Sequence, residues 1–153
     1  SHGAIALADN PDQWQKLIDN PSLIKNATEE ILRWSTPVIH MRRTLSQDAE
    51  LAGTAMKAGD KVVMWYVSGN RDESVFENPE MLQIDRPNAR QHVSFGYGVH
   101  RCMGNRLAEL QLKLLWEEIQ QRFEFVEVLG APERINSNFV HGYATLPVKV
   151  HAL

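Results

Sequence analysis

The sequence predicts an α+β fold in which helices predominate. Two N-terminal segments and one long later segment carry apolar residues at helical spacing. Short runs with strand periodicity lie between and after them, set off by Gly- and Pro-bearing turns. The only cysteine, Cys102, sits in a glycine-flanked loop directly ahead of the long helix. With 153 residues, the chain can bury a core as one domain.

In chain order, Ser1 to Leu7 reads as the tail of a helix already under way. Asn10-Pro11-Asp12-Gln13 reads as a helix start, with Asn at the N-cap and Pro at the first helical position. Trp14, Leu17 and Ile18 give that helix its apolar face, and Asn20-Pro21 breaks it. A second helix is expected from Ser22 to Trp34, with Leu23, Ala27, Ile31 and Trp34 on one side. Pro37 ends it and pushes residue 36 out of helical dihedrals. Within it, Glu30 and Arg33 stand three apart on one face, which by itself suggests a surface ion pair worth a fraction of a kcal/mol.

Thr44 to Ala52 and Lys61 to Tyr66 are expected as strands, with turns at Gly53 and at Lys57 to Asp60; Val62 to Tyr66 reads as a buried strand or the entry to a short helix. Residues 72 to 91 are polar, Pro-punctuated and irregular. The long helix should run from Asn105 to Gln121. Its apolar residues, among them Leu107, Leu110, Leu114, Leu115, Trp116 and Ile119, occupy more than one side and predict a largely buried element. Phe123 to Val128 alternates as a strand, Asn136 to Gly142 forms a turn, and Leu146 to Val150 is a last short strand at an edge.

Composition narrows the function classes. A net charge of −3 gives no footprint for nucleic acid or an anionic membrane. A single cysteine excludes an internal disulfide framework and suits a reducing cytoplasm. No apolar run is long enough to span a bilayer, and the N-terminus carries no signal-peptide pattern.

The chemistry concentrates in Phe95-Gly96-Tyr97-Gly98-Val99-His100-Arg101-Cys102-Met103-Gly104. A thiolate is a strong iron ligand, and its pKa falls beside positive charge and at a helix start. His100 and Arg101 supply the charge, and the helix follows. Gly98 and Gly104 permit φ > 0 and a close backbone approach to a flat ligand, and Phe95 can shield the sulfur. Alternatives are a buried structural cysteine, a Cys–His nucleophile pair, or zinc held with His92 and His100. The last two lack an orienting third group and a common zinc spacing, respectively.

The spacing Phe, two residues, Gly, three residues, Cys, one residue, Gly resembles the haem-binding loop of the cytochrome P450 family. The resemblance implies that residues 1–153 are the C-terminal, haem-loop part of that fold, with the oxygen-activating helix lying upstream. It implies haem b with Cys102 as axial thiolate, whose electron push favours O–O cleavage. It makes Glu30, Arg33 and Arg86 a buried structural triad. His100 and Arg43 become partners of the haem propionates, with Arg42 as the neighbouring rival or a plain surface charge. His92 is a further candidate, the alternative being a backbone-bonded core histidine. Val38, Ile39 and Met41, with Phe139 and Val140, match the family's substrate-facing segments, although ordinary core residues would look the same.

The stretches Thr36 to Gly53, Val62 to Asp72, Arg90 to Phe123 and Ser137 to Pro147 are similar to the bacterial alkane terminal hydroxylases, as is Glu109-Leu110-Gln111 in the long helix. That branch implies a cytoplasmic monooxygenase inserting one atom of O2 into an unactivated C–H bond of a medium-chain alkane or fatty acid. Electrons would arrive from NAD(P)H through a ferredoxin reductase and a ferredoxin docked near Arg101, Arg106 and Lys113. The isolated segment is expected to be inactive. A peroxide-driven peroxygenase and a non-catalytic haem-binding fragment are the alternatives.

Overall fold

A computed structural model describes residues 1–153. Five helices and eight strands follow one another, the strands paired into four separate antiparallel hairpins or ribbons. The helices are α1 (His2–Asp9), α2 (Pro11–Asp19), α3 (Ile24–Ser35), the short α4 (Tyr66–Gly69) and α5 (Asn105–Arg122). A 3-10 turn at Pro21–Leu23 leads into α3, so the second long helix starts two residues later than its periodicity suggests.

Asn10 does sit at the N-cap of α2, but its side chain does not cap it. Asn10 Nδ2 donates to the Ala6 carbonyl at 2.8 Å, closing α1 instead. Gln13, at the third helical position, does not reach back to the cap but accepts from the Ile84 amide at 3.0 Å. A tertiary acceptor thus displaces the local cap.

The core joins α1, α2, α3 and α5 to the irregular segment after α4. Ala6, Leu7, Leu17, Ile24, Ala27, Ile31, Leu82, Ile84 and Trp116 form one buried cluster. Burying such side chains supplies about 1.5–3 kcal/mol each for the larger ones. Only Trp116 of α5 is buried, which corrects the expectation for that helix. Leu107, Leu110, Leu114 and Leu115 are about half exposed. The apolar residues do surround α5, but this chain packs only the Trp116 side against α1 and α3.

The expected strand from Thr44 to Ala52 is also corrected. Strand β1 (His40–Thr44) pairs with β4 (Lys61–Trp65), and β2 (Ala49–Leu51) with β3 (Thr54–Met56) forms a separate hairpin. Leu45 to Asp48 breaks the run between them. Strand β5 (Phe123–Val128) pairs with β8 (Val148–Ala152), and β6 (Glu133–Arg134) with β7 (Tyr143–Thr145). A single bridge, Val38 to Val140, ties the chain after α3 to the turn before β7.

Between α4 and α5 the backbone is almost wholly irregular, with 3-10 turns at Ala89–Gln91 and Gly98–His100. Its carbonyls find partners in arginine side chains rather than in a ladder, as follows.

Candidate functional site

Helix α3 carries the anchor. Glu30 and Arg33 are fully buried and Arg86 nearly so. Arg33 Nε and Nη2 donate to the two Glu30 carboxylate oxygens at 2.8 and 2.9 Å, and Arg86 Nε donates to both at 3.1 Å. The Gln83 amide adds a third donor residue at 3.0 Å. Further guanidinium N–H groups reach carbonyls. Arg33 donates to Asn70, Pro79 and Met81, and Arg86 to Glu77, Asn78 and Met81. Arg33 also lies 5.2 Å over the Phe76 ring. Arg33 thus pairs all five of its N–H donors and Arg86 four, the setting in which buried charge is tolerable.

Helix α3 ends abruptly. Thr36 takes a left-handed conformation, φ 39° and ψ 72°, unusual for a β-branched residue. Its Oγ1 donates to the Arg33 carbonyl at 2.7 Å and accepts from Asn70 Nδ2 at 2.9 Å, which holds the turn. The turn throws Pro37 and Val38 towards the Cys102 loop.

There the structure opens a cleft of ≈ 510 Å³, lined by Leu32, Pro37, Val38, Met41, Arg43, Tyr66, Ser94, Phe95, His100 and Cys102. That volume is within the range of small-molecule and cofactor sites. Six of the residues singled out from sequence meet here. Arg43 lines the cleft and Arg42 does not, because Met41 and Arg43 share one face of β1 by its two-residue period. Ile39, Phe139 and Val140 do not line the cleft, but they are tied to its wall through the backbone. The Ile39 amide donates to the Phe139 carbonyl at 3.0 Å, and Val140 bridges Val38.

The Cys102 thiol is exposed and free. Its amide donates to the Phe95 carbonyl at 2.9 Å, folding the loop back on itself. Gly96 and Gly98 have φ of +71° and +73°, values that side-chain-bearing residues rarely adopt. A Cβ on Gly98 would meet no protein atom within 4 Å, so the conformation and not packing selects glycine there. Gly104 departs from expectation: its φ is −87°, and it serves as the N-cap position of α5.

His92 is placed elsewhere. It is buried behind the loop, with Nε2 3.1 Å from Glu29 Oε2 and Nδ1 accepting from the Ser94 amide at 3.1 Å. It does not line the cleft, so the core-histidine alternative describes its position. Burial acts to raise the Glu29 carboxyl, but the His92 hydrogen bond and the Arg90 and Lys25 charges outweigh it and hold Glu29 below its ordinary range.

Sequence reasoning missed Leu32, Tyr66 and Ser94 as lining residues and Gly96 as a second left-handed glycine. Tyr66 is legible only as the end of a strand or the entry to a short helix, and it opens α4, whereas Ser94 carries no signal. A Cβ on Gly96 would approach the Tyr66 hydroxyl to 3.0 Å, which explains why the loop and α4 fit so closely.

The donor set fits a haem. One thiol faces a cleft with an apolar wall, and two basic side chains, Arg43 and His100, stand ready for carboxylates. No group of three or more His, Cys, Asp or Glu side chains is arranged to hold a bare metal ion.

Comparisons with known proteins agree with this chemistry. The family model described as Cytochrome P450 matches residues 6–151. Linalool 8-monooxygenase of Pseudomonas putida is 46% identical over 148 residues, covering 97% of this chain and 36% of that protein. Methyl-branched lipid omega-hydroxylase of Mycobacterium tuberculosis is 44% identical over 150 residues, covering 97% of this chain and 35% of the relative. Among solved structures, cytochrome P450-153 from Novosphingobium aromaticivorans superposes with a TM-score of 0.95 at 54% identity, covering 99% of this chain and 38% of that one. The chain therefore spans just over a third of the length of the relatives it matches.

Proposed function

The chain belongs to the cytochrome P450 family, and from that premise we propose that it is the haem-loop part of a haem-thiolate monooxygenase of the relatives' full length. The observation that carries the reading is the exposed Cys102 thiol at the mouth of an apolar cleft flanked by Arg43 and His100. When bound, the haem supplies activation of O2 and oxygen insertion into an unactivated C–H bond.

The chain's own residues supply the setting. Cys102 would supply the sulfur ligand, and the hydrogen bond from the Cys102 amide to the Phe95 carbonyl fixes the loop that carries it. Arg43 and His100 pair with the propionates and orient the ring. Val38 and Met41 present apolar side chains to the cleft, so substrate would be held by shape and apolar contact with little polar readout.

The proposed substrate is a medium-chain alkane or fatty acid hydroxylated at its terminus. The apolar lining supports this, as does a relative whose name describes omega-hydroxylation of a methyl-branched lipid. The full-length protein, loaded with haem and supplied with a ferredoxin and its reductase, is expected to convert a medium-chain n-alkane to the 1-alkanol. Products hydroxylated only within the chain, or no product despite a thiolate-ligated spectrum, would overturn the substrate reading.

The electron donor in this proposal is an NAD(P)H-fed ferredoxin. Arg101 and Arg106 are exposed beside the Cys102 loop, and Lys113 is half-buried in an ion pair with Glu117 at 2.7 Å. An acidic ferredoxin would be steered by the two free cations. Arg101→Glu is expected to lower ferredoxin-driven turnover several-fold at low salt while chemical reduction proceeds normally. Unchanged ferredoxin kinetics would remove Arg101 from the docking face.

No helix is long and apolar enough to cross a membrane.

A further inference from the structure

Glu29 and His92 form a buried carboxylate–imidazole pair with no part in the haem contacts described above. Their side chains are 6% and 1% exposed. Burying a carboxylate and an imidazole has a desolvation cost that an apolar pair of similar volume would avoid. The geometry of the pair is also directional. The Ser94 amide can only donate, so His92 Nδ1 must carry the lone pair. The ring proton then sits on Nε2 and is donated to Glu29.

The pair grips the backbone that leads into the Cys102 loop. His92 is tied to α3 through Glu29. The next residue donates its amide to Asn70 Oδ1 at 2.7 Å, and Ser94 Oγ donates to the Leu32 carbonyl, again on α3, at 2.7 Å. Asn70 Nδ2 also reaches Ser94 Oγ at 2.8 Å. Three consecutive residues are thus pinned immediately before Phe95, whose carbonyl receives the Cys102 amide. The His92 and Phe95 rings lie 5.6 Å apart, centre to centre. Glu30 secures the irregular segment, and its neighbour Glu29 secures the loop.

We propose that Glu29 and His92 are positioning residues for the Cys102 sulfur. Through the 92–95 backbone they fix the Phe95 carbonyl and hence the orientation of the Cys102 loop towards the haem. The proposal rests on the haem-thiolate reading of the same site. It adds two residues that act through backbone and touch neither ring nor substrate.

The test uses the full-length holoprotein and three variants: Glu29→Leu, which removes the acceptor, His92→Phe, which keeps the ring volume without nitrogen, and Glu29→Gln, which keeps an acceptor oxygen. Exchange of the Cys102 amide hydrogen, haem retention and the reduced, carbon monoxide-bound spectrum are measured. Glu29→Leu and His92→Phe are expected to exchange the Cys102 amide faster, to retain haem on the order of tenfold less well, and to lose part of the thiolate-ligated band. Glu29→Gln should restore all three. Wild-type exchange and spectrum in Glu29→Leu and His92→Phe, with haem bound, would overturn the proposal. So would a Glu29→Gln variant as impaired as Glu29→Leu. If Glu29→Leu does not fold, His92→Phe and Glu29→Gln decide on the same readouts. Failure of the underlying reading looks different, because wild type itself would then take up no haem.

Discussion

Replacing Cys102 with Ala in the full-length protein is expected to abolish hydroxylation and the thiolate-ligated Soret band together. The sulfur is the only thiol in the chain, and it is exposed and free. No neighbouring side chain can supply a thiolate in its place. His100 lines the same cleft, so some haem could remain associated through imidazole, with a different spectrum. The fold should survive, because the exposed side chain fills no core space and the loop is closed by the Cys102 amide, which Ala retains. The measurement is therefore a paired one: thermal unfolding and the reduced, carbon monoxide-bound spectrum. A variant that keeps the wild-type band would remove the central assignment.

The second large effect is expected at Glu30. This one carboxylate accepts from Arg33, Arg86 and the Gln83 amide inside the core. Glu30→Ala would leave two guanidinium groups buried without their counter-ion. Breaking such a group from one side costs about 3–5 kcal/mol. Against a total stability of about 5–15 kcal/mol, that is a large share. Urea unfolding of the full-length protein should show the midpoint falling accordingly. A loss below about 1 kcal/mol would place the group among exposed ion pairs, where a single substitution matters little.

The two sites differ in how far the sequence revealed them. The Cys102 loop was legible because its chemistry is local: a donor, its glycines and its shielding ring fall within ten residues. Glu30 and Arg33 were visible only as neighbours on one helix face, and nothing in their periodicity distinguishes a buried pair from a solvated one. Arg86 stands 56 positions from Glu30, beyond the reach of any local pattern, and only the family resemblance joined them. Glu29 was passed over altogether, since one acidic residue beside another carries no mark of burial. The position of His92 just before the loop leaves haem contact and core histidine both open in the sequence. The fold turned its ring inward to α3.

Secondary structure shows the same division. Phe123 to Val128 is a strand as expected, paired with β8 although its register shifts between Phe123 and Phe125 and its burial does not alternate. The run from Thr44 to Ala52 was divided between two hairpins, because pairing partners and not propensity set strand limits. In α5 the hydrophobic character is legible in the sequence and the burial is not. Character belongs to the helix, whereas burial depends on what lies against it.

The segment between α4 and the Cys102 loop has a consequence for variation. Arg33 and Arg86 recognise its main-chain oxygens at Asn70, Glu77, Asn78, Pro79 and Met81. Every residue type offers that oxygen, so substitutions at exposed positions there leave the acceptors intact. An inserted or deleted residue shifts each oxygen past its donor at once. This stretch is permissive in spelling and strict in length.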